Sequence, residues 1–406
     1  MKKTCVLLIQ LGTPDSPKTS DVRRYLSEFL NDPRVIDIPW LARKILVNGI
    51  IVPFRAPKSA KIYKELWELG NGISPLLTYT QSVSKLLQAE YNPDEVTVEF
   101  AMRYQNPSLD TVLERIRLAN YDRIVLFPLF PQYASASSGS ALEKAMRIIS
   151  SWWVIPEVVA AGQFYNNPLY IENIVENTKA FDLNSYDHIL FSYHGLPERQ
   201  VDKVYEGTDL CGDQPCETEI NDKNKMCYKA TCYATTRLIV ENTKAFDLKS
   251  YDHILFSYHG LPERQVDKVY EGTDLCGDQP CETELNDKNK LCYKATCYAT
   301  TRLIVEKLGL KEDQYTVCFQ SRLDKKWLEP FSDKIVEEHA KKGAKRLLVF
   351  SPAFVADCLE TLIEIGSEYQ EIFEEHGGET VDLVPSNNDH PLFIQALKHQ
   401  LKELGI

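Results

Sequence analysis

His188-Ile189-Leu190-Phe191-Ser192-Tyr193-His194-Gly195-Leu196-Pro197 is a strand-length apolar run that breaks at a glycine and a proline. A short unbroken run bounded by turn residues is the pattern of a strand buried on both faces of a parallel sheet. The same ten residues return at 253–262, with the second histidine at His259. The repeat extends well beyond the strand. Residues 176–240 and 241–305 are one 65-residue segment written twice, differing only at Asn184/Lys249, Ile220/Leu285 and Met226/Leu291. Ile-Val-Glu stands at each joint, at 174–176, 239–241 and 304–306. Stacked repeat arrays need three or more units of roughly 20–50 residues. Two near-identical copies in an otherwise unrepeated chain read instead as an in-frame tandem duplication. Taking one 65-residue copy from 406 leaves a basic chain of 341 residues.

Outward from the repeat, runs of the same kind occur at Val6–Leu11, Val96–Ala101, Arg123–Phe130, Thr316–Gln320 and Arg346–Phe350. Amphipathic stretches at Ser108–Ala119, Ser140–Ser151 and Asp357–His376 separate them. Strands alternating with helices predict an α/β architecture with ligands at the carboxyl ends of the strands. The chain is long enough for two domains with a core each. Gly162-Gln163-Phe164-Tyr165-Asn166-Asn167-Pro168 interrupts the pattern and marks the boundary. The expected division is an N-terminal half at 1–162, a C-terminal half at 163–388 holding both repeat copies, and a C-terminal helix at 389–406.

A net charge of −12 excludes a partner recognised through its phosphate backbone, which needs a basic surface. The apolar run after Met1-Lys2-Lys3 is too short for a signal peptide and Gln10 interrupts it, so it reads as a first strand. No 18-residue apolar stretch spans a membrane. Eleven cysteines without a secretory signal point to a reducing cytoplasm, with thiols free or holding metal. Ile38–Ala56 stands apart, with Trp40, Leu41, Ile45, Leu46, Ile50, Ile51, Val52 and Phe54 beside Arg43, Lys44 and Arg55. Two readings are open: a helix–loop packed on the core, or an apolar lip around a ligand mouth. Such a lip would rest peripherally on a membrane surface, at the inner face.

His194 ends a buried strand at a Gly/Pro turn, where α/β proteins place functional side chains. His188, six residues earlier on an extended strand, is too far away to share a metal with it. A second cluster follows the Arg346–Phe350 run. There Asp357, Glu360 and Glu364, at i, i+3 and i+7 of an expected helix, share a face. The plain reading is an N-cap aspartate with first-turn acids. The alternative is a carboxylate track that holds a divalent cation such as Fe²⁺ loosely.

Taken together, the motifs resemble the ferrochelatases, the terminal enzymes of haem synthesis. The resemblance rests on Leu11-Gly12-Thr13-Pro14, Gly72-Ile73-Ser74-Pro75, Phe100-Ala101-Met102-Arg103-Tyr104, and Phe127-Pro128-Leu129-Phe130-Pro131-Gln132-Tyr133 with the loop Ser135–Ser140. Ser192–Arg199, Phe319-Gln320-Ser321-Arg322 and Asp357–Leu362 complete it. It spans essentially the whole 341-residue core, departing at Gly70-Asn71-Gly72 where the family usually has a run of glycines. It implies two Rossmann-like domains of the type II chelatase kind, each a parallel four-stranded sheet flanked by helices, with a porphyrin cleft between them. It also implies insertion of Fe²⁺, a substrate, into protoporphyrin IX with release of two protons. By this resemblance His194 is base or iron ligand and Glu360 hands over iron, with Glu364 and Asp357 behind it. Leu11, Arg103, Tyr104, Tyr133, Ser135 and Ser137 match porphyrin-contacting positions. Arg103 or the loop amides would hold the propionates.

Each copy carries four cysteines spaced C-x4-C-x10-C-x4-C: Cys211, Cys216, Cys227 and Cys232, then Cys276, Cys281, Cys292 and Cys297. This is not zinc-finger spacing, which favours two to four residues within each pair. Iron–sulfur clusters tolerate looser spacing, and some ferrochelatases carry a [2Fe–2S] cluster. Cluster, zinc and free thiols all stay open. Rival activities are coproporphyrin or other tetrapyrrole metallation and, from a different class, an inactive haem- or redox-sensing binding protein. The copies leave one further choice. Copy one follows its native lead-in and copy two precedes its native follow-on, so the base is His194 or His259. Chain continuity favours His194, with the surplus segment looped out, docked as an extra β–α unit, or joined to the other copy as a hybrid. Oligomeric state is not legible.

Overall fold

The computed structural model describes residues 3–182, 185, 188–191, 220, 230–231, 234–235, 238–239, 254–259, 315–320, 332–350 and 354–406. The chain divides into two compact units, Met1–Phe164 with Val355–Ile363 and Asn387–Ile406, and Tyr165–Phe354 with Glu364–Ser386. The first cut falls within the Gly162–Pro168 interruption. Val355–Ile363 and the C-terminal helix, however, group with the N-terminal half, not as the continuous division at 162 and 388 expects.

The first unit is built on a four-stranded parallel sheet ordered β2-β1-β3-β4, with β1 at Thr4–Gly12, β2 at Val96–Tyr104, β3 at Arg123–Pro128 and β4 at Glu157–Ala160. Residues Cys5 to Ile9 are fully buried, as an unbroken apolar run in a central strand requires. Around the sheet stand α1 (Thr19–Leu30), α2 (Trp40–Lys44), a π-helical stretch Ile45–Ile51, α3 (Val52–Leu69), α4 (Pro75–Ala89), α5 (Leu109–Leu118) and α6 (Ser140–Ile149). Cys5, Leu7 and Ile9 pack with Leu109, Leu113 and Ala145 of α5 and α6. Local chemistry sets the helix starts. Ser108 Oγ accepts the Thr111 amide at 3.2 Å ahead of α5, and α4 opens with Pro75 at its first position. Gly12 is obligatory: its φ is +112°, and a Cβ there would lie 2.0 Å from the Tyr104 carbonyl oxygen on the paired strand.

The second unit holds α7 (Pro168–Thr178), capped by Asn167, then β5 (His188–Phe191), β6 (Ile254–His259) and β7 (Tyr315–Gln320). It continues through α8 (Ser332–Lys341), β8 (Arg346–Phe350), a π-helical stretch Glu360–Glu368 that begins in the first unit, α9 (Tyr369–Glu375) and β9 (Thr380–Leu383). α10 (Pro391–Glu403) belongs to the first unit. The second sheet is parallel and five-stranded, ordered β7-β6-β5-β8-β9. The expectation of four strands per sheet therefore holds for the first sheet and is corrected for the second. The added strand is the second repeat copy. It pairs beside the first with identical residues opposed, Leu190 to Leu255 and Phe191 to Phe256. Among the described residues, each copy supplies one strand to the sheet. In copy one the described residues Ala230, Thr231, Ala234, Thr235 and Ile239 are helical and buried, and Thr235 Oγ1 donates to the Tyr165 carbonyl at 3.3 Å. Copy one's helical segment therefore docks on the native lead-in. The cysteine helix of copy two, part of the hybrid alternative, lies outside the described residues.

Candidate active site

The candidate side chains of the first unit gather at the carboxyl ends of β1 and β2, as an open parallel sheet places them. Leu11, the penultimate residue of β1, is half-buried. It packs against a cluster formed by Tyr25 and Leu26 of α1, Tyr63 and Trp67 of α3, Tyr104 of β2 and Ile363. Leu359 and Leu362, on either side of Glu360 and Thr361, pack against the same cluster. Tyr25 and Tyr63 meet edge to face with centroids 6.1 Å apart. Burial first, and then the Tyr63 ring and the Glu360 carboxylate, push the Tyr25 phenol well above its ordinary range. Burial and then Glu360 do the same to Tyr63. The buried Cys358 thiol is also pushed up, by burial and by Glu360. Glu360 is thus an acid set among neutral phenol and thiol groups above an apolar floor.

The expected carboxylate row is shorter than the sequence suggests. Its helix starts near Glu360, not at Asp357, and the wide i→i+5 turns of the π-helical stretch keep Glu360 and Glu364 on a common face. Asp357 precedes that helix, and its groups serve local structure. Its Oδ2 accepts from Asn388 Nδ2 at 2.7 Å, its amide donates to Asn388 Oδ1 at 2.9 Å, and its Oδ1 accepts from Thr361 Oγ1 at 3.4 Å. Among the described residues, no group of three or more His, Cys, Asp or Glu side chains is placed to hold a metal ion.

Arg103 and Tyr104 also behave differently from expectation. Tyr104 is fully buried and its hydroxyl lies 2.9 Å from Asp32 Oδ2. A porphyrin therefore cannot lie on it directly. Arg103 is largely buried and ion-paired to Asp32 at 2.5 Å, and its Nε donates to Ser140 Oγ at 2.7 Å. Two of its donor nitrogens are committed inside the protein, which weakens it as a propionate clamp. Tyr133, Ser135 and Ser137 remain half-exposed. Ser135 Oγ accepts from Arg34 at 2.9 Å. The Tyr133 hydroxyl stands 2.9 Å from where a Cβ on Gly139 would sit.

Sequence reasoning missed Asp32, Arg34, Tyr25 and Tyr63, and for Ser140 and Ser74 it saw the motif but not the contacts. Asp32 lies in Asn31-Asp32-Pro33-Arg34, which reads only as a turn after a helix. Ser74 caps α4 and lines a cavity of about 480 Å³ with Thr13, Trp67, Leu77 and Asn106. Its hydroxyl is buried without a partner in the structure. The motif Gly72-Ile73-Ser74-Pro75 was visible, but not the orphaned hydroxyl.

The Ferrochelatase family model matches residues 3–249 and again 241–404. The chain belongs to the ferrochelatase family. The second match begins at residue 241, the first residue of the second copy. The chain is 37% identical over 402 residues to a ferrochelatase of Coxiella burnetii, covering 99% of this chain and 94% of the relative. It is likewise 37% identical over 400 residues to a ferrochelatase of Legionella pneumophila, covering 98% of each. Among solved structures it is similar to SirB from Bacillus subtilis with Fe3+, at 9% identity and a TM-score of 0.47, covering 99% of this chain and 95% of that one. As a ferrochelatase-family chain it is a porphyrin metal chelatase, and Fe²⁺ is its substrate. His194 and the eight repeat cysteines, Cys211, Cys216, Cys227, Cys232, Cys276, Cys281, Cys292 and Cys297, lie outside the described residues. His259 ends β6 opposite Gln320. Cys5 and Cys358 are buried free thiols. No described helix is long and apolar enough to cross a membrane.

Proposed function

We propose that this chain inserts Fe²⁺ into protoporphyrin IX, releasing two protons and giving haem, with Glu360 and His194 as the working pair. Full-length similarity to ferrochelatases carries the reading, and the site chemistry agrees with it. The macrocycle needs an apolar surface, and half-buried Leu11 offers one, backed by the buried aromatic cluster. Metallation is complete only when both pyrrole N–H protons have left, so a base must face the ring. A neutral imidazole, with an ordinary pKa near ~6.5, accepts them at physiological pH. Glu360 receives iron as a single hard carboxylate, backed by Glu364 one wide turn on. One carboxylate binds weakly, which suits a group that must release the ion. The propionates need donors rather than a buried ion pair. The first-turn amides of α4, beside the cavity that Ser74 lines, are candidates for that role.

The choice of His194 over His259 rests on chain continuity, since copy one follows its native lead-in. The lip reading of Ile38–Ala56 also has support. Val47 and Val52 are buried, while Trp40, Leu41, Ile45, Ile50 and Phe54 are 55–75% exposed. Such a ridge suits peripheral contact with a lipid surface. For the repeat cysteines, a visible charge-transfer band after anaerobic purification would mark a cluster; colourless, iron-free, active protein would exclude one.

The test is anaerobic metallation with protoporphyrin and coproporphyrin, followed by absorbance. Faster haem formation from protoporphyrin supports the reading. Exclusive use of coproporphyrin would replace the substrate. Porphyrin binding without metal insertion would favour a binding protein.

A further inference from the structure

We propose that Asp32 is a positioning residue for porphyrin, fixing the Ser135–Gly139 turn through a shared network with Arg103, Tyr104 and Ser140. The proposal rests on the chelatase reading above and adds a residue to it. Asp32 lies in the loop after α1, and its side chain is only 3% exposed. Its Oδ2 accepts from Arg103 at 2.5 Å, from the Tyr104 hydroxyl at 2.9 Å and from Ser140 Oγ at 2.5 Å. Its Oδ1 accepts the Arg34 amide at 2.7 Å. Ser140 is the residue immediately after the turn. At the turn's other end, Arg34 donates to Ser135 Oγ at 2.9 Å, and it also pairs with Glu143 of α6 at 2.5 Å. Both ends of the turn are therefore held from the loop that carries Asp32.

The turn has little slack. A Cβ on Gly139 would come within 2.9 Å of the Tyr133 hydroxyl and 3.1 Å of the Arg34 guanidinium. Arg103 is held as well, its guanidinium 4.4 Å from the Tyr104 ring centroid while it pairs with Asp32. Asp32 thus answers the Arg103 charge internally and converts that residue from a free cation into a strut. What the network presents to a porphyrin is a rigid turn with Ser135 and Ser137 half-exposed. Iron handling is assigned to Glu360, which makes none of these contacts. A defect at Asp32 should therefore appear in porphyrin binding, not in iron binding.

The experiment titrates porphyrin onto full-length wild type, Asp32→Asn and Ser140→Ala by fluorescence. It also measures separate KM values for porphyrin and Fe²⁺, with circular dichroism reporting folding. Asp32→Asn is expected to weaken porphyrin binding by roughly tenfold, the scale of one lost charge-assisted hydrogen bond. Ser140→Ala should weaken it less, and KM for Fe²⁺ should stay at the wild-type value in both. Wild-type porphyrin affinity in folded Asp32→Asn overturns the proposal, as does an equal rise in both KM values. If Asp32→Asn does not fold, Ser140→Ala decides: unchanged porphyrin affinity there overturns the proposal and weakened affinity supports it. A wild type that binds no porphyrin defeats the chelatase reading and this proposal together. A wild type that binds while both folded variants bind equally well defeats this proposal alone.

Discussion

The two sheets differ by one strand, and the difference separates what a fold tolerates from what a site requires. In the first unit each strand is single-copy, and the residues at the ends of β1 and β2 converge on one aromatic cluster. In the second, an identical strand slides in beside its original, and the sheet accepts it. A parallel sheet grows by β–α units, and a copied strand presents the same apolar faces and backbone groups as its neighbour. The ladder is therefore satisfied by duplication. A catalytic base is not, because the proposed metallation uses a single imidazole.

The largest expected effect sharpens that contrast at the histidines. His194→Ala should lower metallation by about 10²–10⁴-fold, the usual contribution of a general base, while His259→Ala should remain close to wild type. Steady-state rates on both variants check this, and a reversed pattern would assign the site to copy two. Next comes the single-copy sheet. Leu7 is fully buried in β1, so Leu7→Ala should destabilise by about 2–5 kcal/mol, read from denaturant unfolding of the first unit. At the iron-receiving group, Glu360→Gln should raise KM for Fe²⁺ on the order of tenfold, or about 1.4 kcal/mol, with porphyrin binding unchanged. Deleting residues 241–305 should have the smallest effect. It returns the second sheet to four strands, and the shortened chain should fold and keep its activity. Loss of folding would show that copy two is structurally required.

Acid adds a pH-dependent comparison inside the first unit. Burial alone would raise the Asp32 carboxyl. Hydrogen bonds from Ser140 and the Arg34 amide, with the Arg103 charge, outweigh burial and hold it below its ordinary 3.8. Its stabilisation is therefore complete above that value and is lost as pH falls through the lower folded-state pKa. Acid unfolding of Asp32→Asn should lack this component of the slope.

Much of this arrangement was legible from residues. The unbroken run Val6–Leu11 announced β1, and Ser108 announced the start of α5, because burial and capping act locally. The short strands β4 and β9, four residues each, carried too little periodicity to be recognised. The helix expected from Asp357 starts later because that aspartate is engaged with Asn388, a partner 31 residues away that no local pattern reveals. At the site, Leu11 and Glu360 were readable as motif residues. The roles of Arg103 and Tyr104 were not, since they depend on Asp32, more than 70 positions away in the chain. The fifth strand was foreseen only as one of several fates for the surplus copy.

The duplicated chain is expected to work as a chelatase. The direct measurement is the anaerobic rate of haem formation from Fe²⁺ and protoporphyrin IX by the intact 406-residue protein, compared with its Glu360→Gln variant. The expected result is multiple-turnover haem formation by the intact chain and a marked loss in the variant at low iron. Porphyrin binding with no iron insertion by the intact protein would contradict the account.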